Sequence, residues 1–132
     1  MVKKSKNNKI LITEDEESML RALTDTFKSA KFDVFGAEDG EKGLEVAFRE
    51  HPDVILIDIL MPKMDGVTML KKIREDEWGK NVPAIILTNL SDMEKIAEAV
   101  EDRVCNYLVK TEWSLEDIVK KVKKIIKERP VC

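Results

Sequence analysis

Four apolar runs of this chain end in groups that could do chemistry. Ile10-Leu11-Ile12 leads into Glu14-Asp15, Val54 to Ile57 ends at Asp58, Ala84 to Leu87 at Thr88, and Val104 to Val109 at Lys110. The stretch VILIDILMPKMDG, residues 54–66, poses the problem sharply, because a carboxylate stands where a buried strand should emerge, with Pro62 and an Asp65-Gly66 turn close behind. Crowded carboxylates raise one another's pKa or repel unless a cation is shared between them. Only oxygen ligands are on offer, and hard oxygen donors select Mg²⁺, with Mn²⁺ as a substitute, over zinc. Mg²⁺ binds one or two carboxylates, keeps several waters and completes its shell with phosphate oxygens, for which Thr88 and Lys110 supply a hydroxyl and a cation. Asp58 is then a nucleophile that can attack phosphorus to form an acyl phosphate while the metal and the lysine neutralise the developing charge.

The elements that must hold these groups follow from periodicity. Strand-like runs at Ile10–Ile12, Phe32–Ala37, Val54–Ile57, Ala84–Leu87 and Val104–Val109 alternate with helical spacings. Met19, Leu20, Leu23 and Phe27 mark one helix, Leu44, Ala47 and Phe48 a second, and Val67, Leu70 and Ile73 a third. Met93, Ile96, Ala97 and Val100 mark a fourth, and Leu115, Ile118, Val122, Ile125 and Ile126 a fifth. Ser91 before Glu94 and Ser114 before Asp117 resemble capping boxes. Five strands alternating with five helices predict an α/β fold, a parallel sheet covered on both faces, with runs one, three and four at its centre and run two at an edge. Ligands of such sheets bind beyond the carboxyl ends of the strands, where the groups above collect.

At 132 residues, 43% hydrophobic and 37% charged, the chain suits one domain with one core. No apolar run approaches the roughly 18 residues that cross a bilayer. MVKKSKNN is basic without the apolar region of a secretory signal, so residues 1–8 are expected as a flexible arm and the cytoplasm as the compartment. A net charge of −3 does not suggest a nucleic-acid surface. Cys105 and Cys132 make no disulfide framework, and His51 offers no second metal ligand, which argues against a zinc site or a Cys–His pair.

From about Lys9 to Lys127 the chain resembles the receiver domain of two-component response regulators, the CheY-like superfamily. ILITEDEES is similar to that family's first strand and acidic pair, DVILIDILMPKMDG to its phospho-acceptor strand and loop, and IILTN and NYLVK to its fourth and fifth strand ends. The resemblance implies a flavodoxin-like three-layer sandwich with strand order 2-1-3-4-5, a receiver (response regulatory) domain over 9–128 and a tail over 129–132. It implies that Asp58 takes its phosphoryl group from a phosphohistidine of a sensor histidine kinase or phosphotransfer protein. Asp15 would hold Mg²⁺ directly, Glu14 through a water, with Asp58 and the Leu60 backbone carbonyl as further ligands. Thr88 would move inward on phosphorylation and Tyr107 would turn with it, presenting the helix 4–strand 5–helix 5 face to a downstream protein target.

Departures from the pattern are Asn89 after the threonine, Arg103 four residues before the aromatic, and Thr111 where proline usually follows the lysine. A trans Lys110–Thr111 bond is expected, because a cis bond before a non-proline residue costs roughly 2.5–4 kcal/mol. Leu60, two past the acceptor, offers no polar group to steer a hydrolytic water, so a long-lived phosphoryl state is expected. Trp78 and Trp113 are read as partial covers for loops. The acidic set Asp92, Glu94, Glu98, Glu101 and Asp102 opposes the basic set Lys120, Lys121, Lys123, Lys124 and Lys127, and a homodimer through that face is one expectation. Only Glu128 to Cys132 follow Lys127; if that end is the natural one, output is expected through a partner protein or phosphorelay, with no direct contact to nucleic acid or membrane. The chain is not expected to be an enzyme beyond its own phosphorylation and dephosphorylation. Aspartyl-phosphate phosphatases of the haloacid dehalogenase type characteristically carry a second Asp, as acid/base for the leaving group, where Leu60 stands here, which argues against that rival. The alternative is a degenerate receiver serving as a constitutive protein-binding module.

Overall fold

The computed structural model of the chain describes residues 7–88, 104 and 106–128. Five parallel strands, β1 (Lys9–Thr13), β2 (Asp33–Ala37), β3 (Val54–Asp58), β4 (Ala84–Thr88) and β5 (Asn106–Val109), form one sheet in the order β2-β1-β3-β4-β5. Helices α1 (Glu17–Ser29), α2 (Gly40–Glu50), α3 (Gly66–Glu75) and a C-terminal helix (Leu115–Glu128) cover it, with a short 3₁₀ turn at Trp78–Lys80. The helix expected over Met93–Val100, its Ser91 cap and the acidic face opposed to the lysines lie outside the described residues, as do Asn89, Arg103 and Cys105. β3 and β4 are buried at every position, as unalternating apolar runs require when both faces are covered, whereas edge strand β2 is mostly half-exposed.

Strand alternation sorts the core into two layers. Ile10, Ile12, Val54, Leu56, Ile85, Leu87 and Leu108 meet Leu23 and Phe27 of α1 and Ile118, Val122 and Ile125 of the C-terminal helix. Leu11, Ile55, Ile57, Ala84 and Ile86 meet Val46 and Ala47 of α2 and Met69, Leu70 and Ile73 of α3. Each side chain fully removed from water contributes on the order of 1.5–3 kcal/mol, so the sheet's rigidity rests on these layers. The Ser114 hydroxyl accepts the Asp117 N–H at 3.1 Å, the cap expected of that segment. Trp78 and Trp113 are both half-buried against the core, and Trp78 stacks on His51 with ring centroids 4.6 Å apart.

Two sequence expectations need correction. Phe48 was placed on the buried stripe of α2, but it is 41% exposed, and the buried positions are Gly40, Gly43, Val46 and Ala47. The glycines explain the shift: a Cβ on Gly43 would lie 2.7 Å from Met69 Sδ and 2.8 Å from Thr13 Cγ2, so α2 approaches its neighbours through its glycine face. Val104 precedes the strand rather than belonging to it, and β5 is correspondingly shorter than expected.

Candidate active site at the carboxyl edge of the sheet

Parallel register carries the reactive groups to one edge. Thr13 pairs with Ile57, Asp58 with Leu87 and Thr88 with Val109, so each following residue leaves the sheet at the same end. By strand alternation Glu14, Asp58 and Lys110 belong to the α1 face, while Thr88 and Tyr107 belong to the α2–α3 face, where Tyr107 packs on the core. Carboxylate oxygens of Glu14, Asp15 and Asp58 all lie within 4.8 Å of one another. Glu14 is 1% exposed, whereas Asp15 is open to solvent.

Lys110 bridges this cluster. Its Nζ donates to Glu14 Oε1 at 2.7 Å and stands 3.4 Å from Asp58 Oδ2. The other Glu14 oxygen accepts the Glu16 N–H at 3.2 Å. Burial, then the hydrogen bond and charge of Glu14, push the Asp58 carboxyl up to about 7, against the pull of Lys110. Burial opposes the charge on Lys110, yet the hydrogen bond to Glu14 and the charge of Asp58 outweigh it, and its pKa stands above the usual lysine value. Two close carboxylates with one ammonium between them remain short of positive charge. An all-oxygen donor set of this kind fits a hard divalent cation such as Mg²⁺.

The loop after β3 shows why Asp58 is followed by MPKMDG. Asp65 is the N-cap of α3, its carboxylate accepting the Thr68 N–H at 2.8 Å, a role the sequence reading assigned only to a turn. Gly66 N–H donates to Ile59 O at 3.0 Å, and a Cβ there would meet both Asp58 O and Ile57 Cγ2 at 2.5 Å. Lys63 holds φ at 66°, in the left-handed region, inside a tight turn closed by Met64 N–H to Pro62 O at 2.7 Å. Gly40 admits the Met64 carbonyl against α2, and Lys63 Nζ pairs with Asp39 at 3.7 Å. The glycines and Asp39 therefore position the acceptor loop. From sequence Gly66 is visible only as part of a turn and Asp39 and Gly40 not at all, although the DG before each apolar helical run is a usable signal for a cap followed by a close approach.

The remaining expected site residues fall as follows. Thr88 is fully buried at the end of β4, and its backbone oxygen accepts the Lys110 N–H at 2.7 Å, tying the two strand ends together. Leu60 is 55% exposed just beyond β3. Tyr107 is half-buried on the opposite face from the carboxylates. The Lys110–Thr111 bond is trans, as the cost of the cis form required.

Residues 10–123 match the family described as the response regulator receiver domain. Over 119 residues the chain is 33% identical to a probable transcriptional regulator, ycf27, of Porphyridium aerugineum, a match covering 90% of this chain and 48% of that protein. The chain spans about half, or less, of the length of the curated relatives it matches. Among solved structures it is similar to the Francisella response regulator 1452 receiver domain, at 29% identity and a TM-score of 0.82, with 94% of this chain and 100% of that one covered. It is similar also to the receiver domain of the sensor histidine kinase PA1611 from Pseudomonas aeruginosa, described with a magnesium ion coordinated in its active-site cleft. That pair shares 25% identity and a TM-score of 0.82 over 92% of this chain and 98% of the other. No helix among the described residues is long and apolar enough to cross a membrane.

Proposed function

The chain belongs to the response regulator receiver domain family, and from that membership we propose that Asp58 accepts a phosphoryl group from a phosphohistidine of a sensor kinase or phosphotransfer protein. The observation that carries the reading is the buried Asp58 at the end of β3, with Glu14 and Asp15 within 4.8 Å and Lys110 Nζ at 3.4 Å. An Asp58 carboxylate oxygen attacks phosphorus, the phosphorus–nitrogen bond breaks, and the electron pair leaves on the donor imidazole, giving an acyl phosphate.

Glu14, Asp15, Asp58 and the Leu60 carbonyl would hold Mg²⁺. When bound, the ion supplies positive charge that keeps Asp58 ionised and offsets the charge of the phosphoryl oxygens. Lys110 turns its ammonium from Glu14 towards those oxygens, and the Thr88 hydroxyl donates to one of them. Movement of Thr88 and Tyr107 then shifts an existing equilibrium towards a state that a downstream protein binds. The chain turns over no separate substrate, and Leu60 leaves the acyl phosphate long-lived. Contact with nucleic acid, where the longer relatives make it, is assigned to parts outside this domain. We assign the domain to residues 9–128 and its site of action to the cytoplasm.

Incubation of the full chain with acetyl phosphate and Mg²⁺, followed by intact-mass measurement, tests this. One phosphoryl group per chain is expected, labile to hydroxylamine, absent with chelator and absent in Asp58→Asn. Steady release of phosphate from many small esters would indicate a phosphatase instead. No adduct under any condition, with partner binding retained, would indicate the degenerate module.

A further inference from the structure

At the opposite edge of the sheet a groove of about 390 Å³ lies between the α1–β2 turn and the C-terminal helix. Its lining is amphipathic. Ala30, Phe32 and Ile126 give it apolar wall, Asn7 and Asn8 add amides, and Lys31, Lys123 and Lys127 bring three ammoniums. No carboxylate lines it, and none of the three lysines makes an ion pair among the described residues. Other exposed lysines, Lys120 and Lys124 among them, likewise make no ion pair among the described residues, so it is the shared groove that sets these three apart.

Lys31 is the telling member. It holds φ at 69°, with its N–H on Lys28 O at 2.9 Å just past the end of α1. Glycine is the usual occupant of that position because it takes the left-handed conformation without steric cost. A lysine there carries a modest backbone strain, as His51 does past the end of α2, and it brings a third ammonium to the rim of the groove. The wall opposite is fixed in advance. Asp33 N–H donates to Asn8 O at 2.9 Å, and the Asn7 amide donates to the Asp33 carboxylate at 3.4 Å.

We propose that this groove binds a small phosphate ester or polyphosphate, its anionic head held among Lys31, Lys123 and Lys127 over a floor formed by the buried Phe32 and Ile126. Lysine serves phosphate as a point-charge donor, and the volume falls within the roughly 300–1,000 Å³ of small-molecule sites. The edge is remote from the acidic cluster, so the inference stands apart from the phosphotransfer reading.

The test is an amide NMR titration of the full chain at low salt without divalent cations, using inorganic phosphate, pyrophosphate and adenosine triphosphate as probes. Saturable shifts are expected at Asn8, Lys31 and Lys127, with the triphosphate binding tightest. Lys31→Gly should raise the melting temperature by removing strain while weakening binding about fivefold or more, and Lys127→Gln should weaken it similarly. Unchanged affinity in Lys31→Gly would overturn the proposal. So would shifts spread equally over Lys120, Lys121 and Lys124, or no saturation by about 5 mM.

Discussion

At the amino-terminal edge of the sheet, Glu50 sits between two cations, with Lys9 Nζ at 3.4 Å and Arg49 Nε at 3.0 Å, and the Asp53 carboxylate accepts the Lys9 N–H at 2.7 Å. The Arg49 hydrogen bond, outweighing burial and helped by Lys9, holds the Glu50 carboxyl below its usual range. At the carboxyl edge, Glu14 and Asp58 share the single ammonium of Lys110 beside Asp15, and Asp58 is driven up to about 7. The carboxyls move in opposite directions because Asp58 is buried beside a second carboxylate, whereas Glu50 lies near solvent between two cations. A deficit of positive charge, tolerated in a rigid sheet, sets the carboxyl edge apart and is what the proposed cation and phosphoryl group would relieve.

Substitutions can break this contrast, and the most severe should be at the acceptor. Asp58→Asn is expected to reduce labelling by acetyl phosphate by about two orders of magnitude or more, read by intact mass. Residual labelling at wild-type rate would move the reaction to another residue. Next in size is Gly66→Ala. A methyl at a helix's first position would ordinarily be harmless, but here it meets Asp58 O and Ile57 Cγ2 at 2.5 Å. Urea unfolding should show a loss of about 2–4 kcal/mol, against under about 1 kcal/mol for Gly36→Ala, whose Cβ would meet only Leu20 at 3.4 Å.

The titration of Asp58 sharpens the comparison further. Its folded pKa, about 7, lies above the ordinary 3.8, so the native state keeps a proton that the unfolded chain has lost. The contribution of Asp58 to stability is therefore full below pH about 4, falls as pH rises towards 7 and levels off beyond. Between pH 5 and 7.5, without divalent cations, the loss should be about 1–2 kcal/mol in chemical denaturation, and Asp58→Asn should flatten that part of the profile. Mg²⁺ at a hundredfold excess over its dissociation constant should restore about 2.7 kcal/mol at pH 7.5. A flat profile in the wild type would mean that the cluster is not short of positive charge. The smallest effect belongs to the solvated surface, where Arg21→Ala, which breaks the exposed 3.4 Å pair with Glu17, should change stability by under about 0.5 kcal/mol.

Much of this was legible because four of the five strands are short apolar runs that end in, or lead directly into, a polar group. The burial of β3 and β4 and the edge position of β2 follow from whether those runs alternate. Convergence of Glu14, Asp15, Asp58 and Lys110 follows from parallel strands emptying at one edge. What periodicity cannot convey is close approach. Gly40, Gly43 and Gly66 carry no hydrophobic signal, yet they set how near α2 and α3 come to the site, and with Gly43 on the inner face Phe48 turns outward. The preference of Lys110 for Glu14 over Asp58 was equally out of reach, since it rests on side-chain reach across 96 residues of separation.

Tyr107, on the far side of the sheet from the carboxylates, is also the only tyrosine in the chain. A fluorinated analogue incorporated there would give a single resonance, with no assignment to make and no direct contact with bound metal. Population exchange in the proposed relay could then be followed separately from occupancy of the acidic cluster, so a spectroscopist would have an isolated label at a position already supplied by the chain.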